Sequence, residues 1–112
     1  MEEVLAAIRK FRDERDWLQF HDPQNLAVSI SIEAAELLEE FQWKDRDAAW
    51  RHAEQNREAV SDEIADVAIY LYELADILKI DVGQAILAKL AKNAVKYPVE
   101  KSRGKSTKYD KL

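Results

Sequence analysis

The chain has 112 residues, of which 47% are apolar and 35% charged, with a net charge of −5 and no cysteine. That composition describes one folded domain, residues 1–112, and excludes a disulfide framework and thiolate metal sites; it fits a reducing, cytoplasmic setting. No apolar run reaches the roughly 18–20 residues needed to cross a membrane, and the acidic start MEEVLAAIRKF lacks a signal-peptide pattern. Charge is unevenly placed, with six Lys or Arg against two acids from Lys96 to Leu112 and a strongly acidic body before it. The acidic body argues against binding a nucleic acid polymer. The basic tail is either a solvated end or a partner for a small phosphate-bearing ligand.

Only two Gly and two Pro interrupt a sequence rich in Ala, Leu, Glu and Lys, so an all-α fold is expected. A first helix should run from Glu2 to Asp16, with Val4, Leu5, Ile8 and Phe11 on one apolar stripe. Arg9, Arg12 and Arg15 lie off that stripe and are expected in solvent. The segment Trp17–Asn25 (WLQFHDPQN) breaks the pattern, because Asp22-Pro23 signals a turn. Trp17 and His21 could stack on a base or plug the end of a helix bundle; Phe20 is expected to plug it.

Asn25 is the expected N-cap of a second helix reaching Trp43. Four acids, Glu33, Glu36, Glu39 and Glu40, crowd its second half, and no basic residue lies between Asn25 and Trp43 to neutralise them. KDRD at 44–47 is a polar connection in which Asp45 or Asp47 caps a short helix, Ala48–Asn56. The join to the next helix carries no Gly or Pro. A third helix, Arg57–Lys79, is apolar nearly all round from Ile64 to Leu78 and is expected to be central and covered on most sides. Glu73 and Asp76 should reach solvent near its end, whereas Asp66 should be least able to. Asp81 caps a fourth main helix, Val82–Lys96, on which Lys89, Lys92, Asn93 and Lys96 form a basic, polar face. Pro98 ends it, and an extended basic tail follows.

Glu33 and Glu36, and again Glu63 and Asp66, are spaced i, i+3, which puts each pair on one helical face. Like charges at that spacing destabilise a helix unless a cation lies between them, and carboxylates in apolar sequence pair or bind metal. Four such oxygens brought together suit Mg2+, which takes a few carboxylates, keeps waters and bridges to phosphates. The Glu-x-x-His pairs of di-iron bundles are absent, as is a Ser-centred nucleophile motif. By spacing alone, the acids could equally form solvated faces of a non-catalytic helical interaction module.

The order Glu33-x-x-Glu36, 26 intervening residues, Glu63-x-x-Asp66, with the stretches DWLQFHDPQNL, EAAELLEEFQW, SDEIADVAIYL and KYPVEKSRGKSTKY, resembles the MazG-like all-α nucleoside triphosphate pyrophosphohydrolases. Within them it is most similar to the dCTP pyrophosphatase branch. The resemblance implies a four-helix bundle completed by oligomerisation, as a homodimer or homotetramer. It implies that Glu33, Glu36, Glu63 and Asp66 are the catalytic residues and ligate Mg2+, and that Trp17, His21 and Trp43, helped by Asn25 and Tyr70, form the base pocket. It also implies that Lys92, Asn93, Lys96, Tyr97 and Arg103 contact the phosphates. The implied reaction splits a (d)NTP into (d)NMP and pyrophosphate, with dCTP or a modified dCTP preferred and pool cleaning as the role. A dATP, dUTP or phosphoribosyl substrate would use the same metal site.

Overall fold

The structure, a computed structural model, describes all of residues 1–112. It holds six α-helices, two short 3-10 helices and no strand, so the all-α expectation holds. The chain forms two compact units, Met1–Lys79 and Ile80–Leu112.

In the first unit, α1 (Glu2–Glu14), α2 (Pro23–Glu39), α3 (Arg46–Gln55) and α4 (Arg57–Ile77) follow one another, with a 3-10 turn at Leu18–Phe20 before α2. α2 packs along α4, and α1 and α3 each make a shorter contact with α4. Asp22, rather than Asn25, caps α2: its Oδ1 accepts the Asn25 backbone N–H at 2.7 Å. Pro23 occupies the first helical position. There its missing N–H costs nothing and its fixed φ already matches the helix, so Asp-Pro starts the helix one turn earlier than the turn reading implied.

α2 stops at Glu39, short of Trp43. The chain then tightens into i−3 bonds, Phe41 N–H to Leu38 O at 3.0 Å and Lys44 N–H to Phe41 O at 3.3 Å, and Trp43 adopts φ 66°. The turn is completed before Asp45, whose side chain accepts from Ala48 N–H at 2.8 Å and caps α3. Asn56 ends α3 with φ −122° and ψ 40°, its amide donating to His52 O at 3.2 Å; this is the join that carried no Gly or Pro. α4 ends at Ile77, two residues before the expected Lys79, which itself sits in the left-handed region at φ 57°.

The apolar core of the single chain is small. Only Ile8 and Leu26 are buried apolar residues, and Leu26 alone is fully enclosed. α4 is therefore not covered on most sides, contrary to the expectation from its composition: Ile64, Leu71 and Leu78 remain about half exposed. Phe20 is also exposed and plugs nothing.

Two polar residues take the buried places instead, Arg12 and Glu73, only 6% and 3% exposed. Both were expected in solvent. For Arg12 the reason is charge pairing between α1 and α4; Glu73 instead faces His21 of the loop before α2, Oε1 lying 3.2 Å from Nδ1. Arg9 donates through Nε to Asp76 Oδ2 at 3.0 Å and through Nη2 to Oδ1. Arg12 Nη1 lies 3.7 Å from Asp76 Oδ2, while its Nε donates to Asp13 at 2.9 Å. Arg9 and Arg12, spaced i, i+3 on α1, thus both meet Asp76 on α4. Arg15 turns back on its own helix, its guanidinium 3.7 Å from the Phe11 ring centroid.

In the second unit, α5 spans Val82–Lys96 as expected, capped by Asp81, which accepts from Gln84 N–H at 2.9 Å. The tail is not extended throughout. It forms α6 (Val99–Ser102), a turn at Gly104 with φ 75°, and a 3-10 helix at Tyr109–Lys111. Tyr109 folds back onto the end of α5, edge-on to Tyr97 at 6.0 Å and beneath Lys96 Nζ at 4.8 Å.

Candidate active site

α2 and α4 lie against each other, so the one face that carries Glu33 and Glu36 meets the one face that carries Glu63 and Asp66. One oxygen from each of the four carboxylates lies within 4.8 Å of the others. Glu33 and Glu63 are half-buried; Glu36 and Asp66 are exposed. Asp66, expected to be the most enclosed, is instead exposed. None of the four forms an ion pair with a Lys, Arg or His.

Their electrostatics follow from this crowding. Burial pushes the Glu33 carboxyl above its usual range, and the hydrogen bond and charge of Glu36 push it further, with Asp66 and Glu63 adding to the effect. Burial likewise raises Glu63, followed by the charges of Glu36 and Asp66. One oxygen of each, Glu33 Oε2 and Glu63 Oε2, is buried with no hydrogen-bond partner. Buried acceptors normally find a partner. Two orphaned carboxylate oxygens inside a four-acid cluster are what a hard divalent cation satisfies, because it supplies positive charge and takes oxygen ligands.

The aromatic residues before α2 gather beside α4. Trp17 meets Phe11 edge-on at 5.8 Å and His21 at 6.3 Å; His21 meets Tyr70 at 6.2 Å. The hydroxyl of Tyr70 is pushed up by burial first and by the Glu33 charge second, which links this aromatic row to the acids. Asn25 serves the loop, its amide donating to Phe20 O at 3.0 Å and to Asp22 at 3.2 Å. Trp43 is 93% exposed and stands in no aromatic pair of this chain. Lys92, Asn93, Lys96, Tyr97 and Arg103 all belong to the second unit, along α5 and just beyond it.

Sequence reading missed Glu73. It is buried at the foot of the aromatic row, with Oε1 3.2 Å from His21 Nδ1. Burial raises its carboxyl, and the charges of His21 and Arg12 work against that rise. The matching spacings Arg9/Arg12 and Glu73/Asp76 were the available signal.

With this geometry in place, comparison with known proteins gives a consistent picture. The MazG-like family pattern matches residues 28–112. dCTP pyrophosphatase 1 of Bos taurus is 40% identical across the whole of this chain and 68% of its own length. The Homo sapiens protein of the same name is 38% identical, again over the whole chain and 67% of its length. A crystal structure of a pyrophosphatase from Archaeoglobus fulgidus superposes with a TM-score of 0.85 at 52% identity, covering 88% of this chain and 92% of that one. Similarity of this extent, over both sequence and fold, shows that the chain belongs to the MazG-like family.

Proposed function

We propose that this chain, a nucleoside triphosphate pyrophosphohydrolase, is Mg2+-dependent and splits dCTP or a modified dCTP into the monophosphate and pyrophosphate, clearing such nucleotides from the cytoplasmic pool. The observation that carries the reading is the four-carboxylate cluster with two buried, unpartnered oxygens. Glu33, Glu36, Glu63 and Asp66 would hold Mg2+, which supplies charge neutralisation at the phosphates and a more acidic water for attack at phosphorus. The mutual repulsion of the four acids leaves the site poised for a cation.

The chain's own residues do the rest. Trp17, His21 and Tyr70 hold the base, and Tyr70, which feels the Glu33 charge, links that pocket to the acids. Asn25 fixes the loop that carries His21. Trp43, exposed and held in a left-handed conformation, adds a further base contact. Lys92, Asn93, Lys96, Tyr97 and Arg103 bind phosphate oxygens, and residues 1–112 act as one catalytic domain. The many half-exposed apolar side chains support assembly as a homodimer or homotetramer. The similarity to proteins named dCTP pyrophosphatase supports cytosine as the base.

Pyrophosphate release from a panel of canonical and modified nucleoside triphosphates, with Mg2+ and with chelator, tests this. Mg2+-dependent release fastest from dCTP or a modified dCTP is expected. Release fastest from another base would keep the reaction and overturn the base assignment. No release from any nucleotide by folded protein would overturn the function.

A further inference from the structure

A bulky side chain seldom sits on a backbone with φ above zero, and where one does, its surroundings hold it there; such outliers collect at binding and active sites. Trp43 is one, at φ 66°. Its indole is 93% exposed, so packing of the indole does not hold the backbone. The hold comes from the two ends of the turn.

Both ends are tied to α3. On the far side, Asp45 caps α3 by accepting from Ala48 N–H at 2.8 Å. On the near side, His52 reaches back from α3 to the end of α2. Its Nε2 lies 3.0 Å from Oε1 of Glu40, the last cap residue of α2, and its ring meets Phe41 edge-on at 5.8 Å.

The direction of these bonds follows from Asn56. Its amide nitrogen lies 3.1 Å from His52 Nδ1 and 3.2 Å from His52 O. A carbonyl oxygen only accepts, so the amide nitrogen donates to both atoms. Nδ1 is then the acceptor of the ring, and Nε2 carries the proton and donates to Glu40. Neither ring nitrogen is left over for a substrate or a metal. The side chains of His52 and Glu40 are 21% and 24% exposed, so the bond is largely shielded from water.

The turn also borders the acid cluster. After burial and the charges of Glu36 and Asp66, the charge of Glu40 adds to what raises the Glu63 carboxyl.

Resting on the proposed function, with Trp43 as a base contact, we propose that His52 is a positioning residue for nucleotide binding: by holding Glu40 and Phe41 it fixes the 40–44 turn and presents the Trp43 indole to the base. His52 does not touch the nucleotide. The base is remote from the phosphorus that reacts, so its stacking on an indole is alike in substrate and transition state. Loss of the hold therefore weakens binding and spares the chemical step.

The test uses the full-length protein with Mg2+ and the nucleotide that the panel finds fastest. It compares kcat and KM in the wild type, His52→Ala, His52→Gln, Trp43→Ala and the His52→Ala/Trp43→Ala double variant. His52→Ala should raise KM about fivefold or more, the scale of one stacked base, with kcat within about twofold. His52→Gln should recover KM, because its amide nitrogen can donate to Glu40 as Nε2 does. The double variant should be no worse than Trp43→Ala alone, since both changes remove the same contact. Additive losses, or a fall in kcat with KM unchanged, would mark a merely structural role and overturn the proposal while the function stands. Glu40→Ala breaks the same bond from its other end and should raise KM alike, which carries the test if His52→Ala does not fold. Backbone NMR couplings at Trp43, read without nucleotide, report the turn itself. A left-handed Trp43 is expected in the wild type and His52→Gln, and an averaged one in His52→Ala; a left-handed Trp43 surviving in His52→Ala would overturn the proposal. Wild-type protein that releases no pyrophosphate from any nucleotide would sink the functional reading itself, and the proposal with it.

Discussion

At the scale of single residues, the four acids are not equivalent. Glu33 and Glu63 are partly buried and their carboxyls are raised; Glu36 and Asp66 are open to solvent. Asp66→Asn keeps shape and removes one charge from the open side, so the fold should survive. Turnover should fall at least about 100-fold, the scale on which one electrostatic contributor to a transition state acts. Wild-type turnover in a folded Asp66→Asn protein would remove Asp66 from the site. Glu33 gives the opposite stability signal. Its native carboxyl is raised, so the ionised form is disfavoured by folding. That penalty is absent below the ordinary glutamate range and sets in as pH rises through the raised native value. In chelator at neutral pH, Glu33→Gln should therefore melt at a higher temperature than the wild type. A lower melting temperature would show that the charge is already compensated.

At the scale of elements, α2 depends on its first turn and α1 on its clasp to α4. Asp22 both caps α2 and receives the Asn25 amide, so it fixes the entry of the loop carrying His21. Asp22→Ala should cost about 1 kcal/mol in denaturant unfolding. The clasp is pH-dependent. Hydrogen bonding from Arg9, then the charges of Arg9 and Arg12, hold the Asp76 carboxyl below its usual range against the opposing effect of burial. A lowered native value means stability that is present above the unfolded range, about pH 3.9, and lost as pH falls through the native value. Asp76→Asn should cost on the order of 1–2 kcal/mol near pH 7, and the gap to wild type should close in acid. Urea titrations at several pH values would measure it; a gap independent of pH would rule out the charged pair as its source.

At the scale of the whole molecule, two enclosed apolar side chains are few for 112 residues. Burial of apolar area is the main source of folding free energy, and small domains have little to spare. Ile64, Ile86, Leu87 and Leu90 stay more than half exposed in the single chain. Covering them with further copies is the economical solution. Light scattering after size exclusion should give a dimer or tetramer mass, and dilution should lower the melting temperature because assembly is linked to folding. A stable monomer with a concentration-independent melting temperature would contradict this.

The local features were legible in the sequence because they are set by short-range chemistry. Helix content followed from composition, the α5 limits from Asp81 and Pro98, and the acid pairs from i, i+3 spacing, which any helix converts into a shared face. Tertiary structure decided the rest. Asp22-Pro23 reads as a turn until the chain commits to a helix after it, and the turn ending at Trp43 has no glycine to announce it. Arg12 looks solvated in isolation, since a charge is buried only when an opposite charge meets it, here Asp76 from another helix. The spacing of either helix alone carries no such information, because the pairing depends on how the two helices are set against each other.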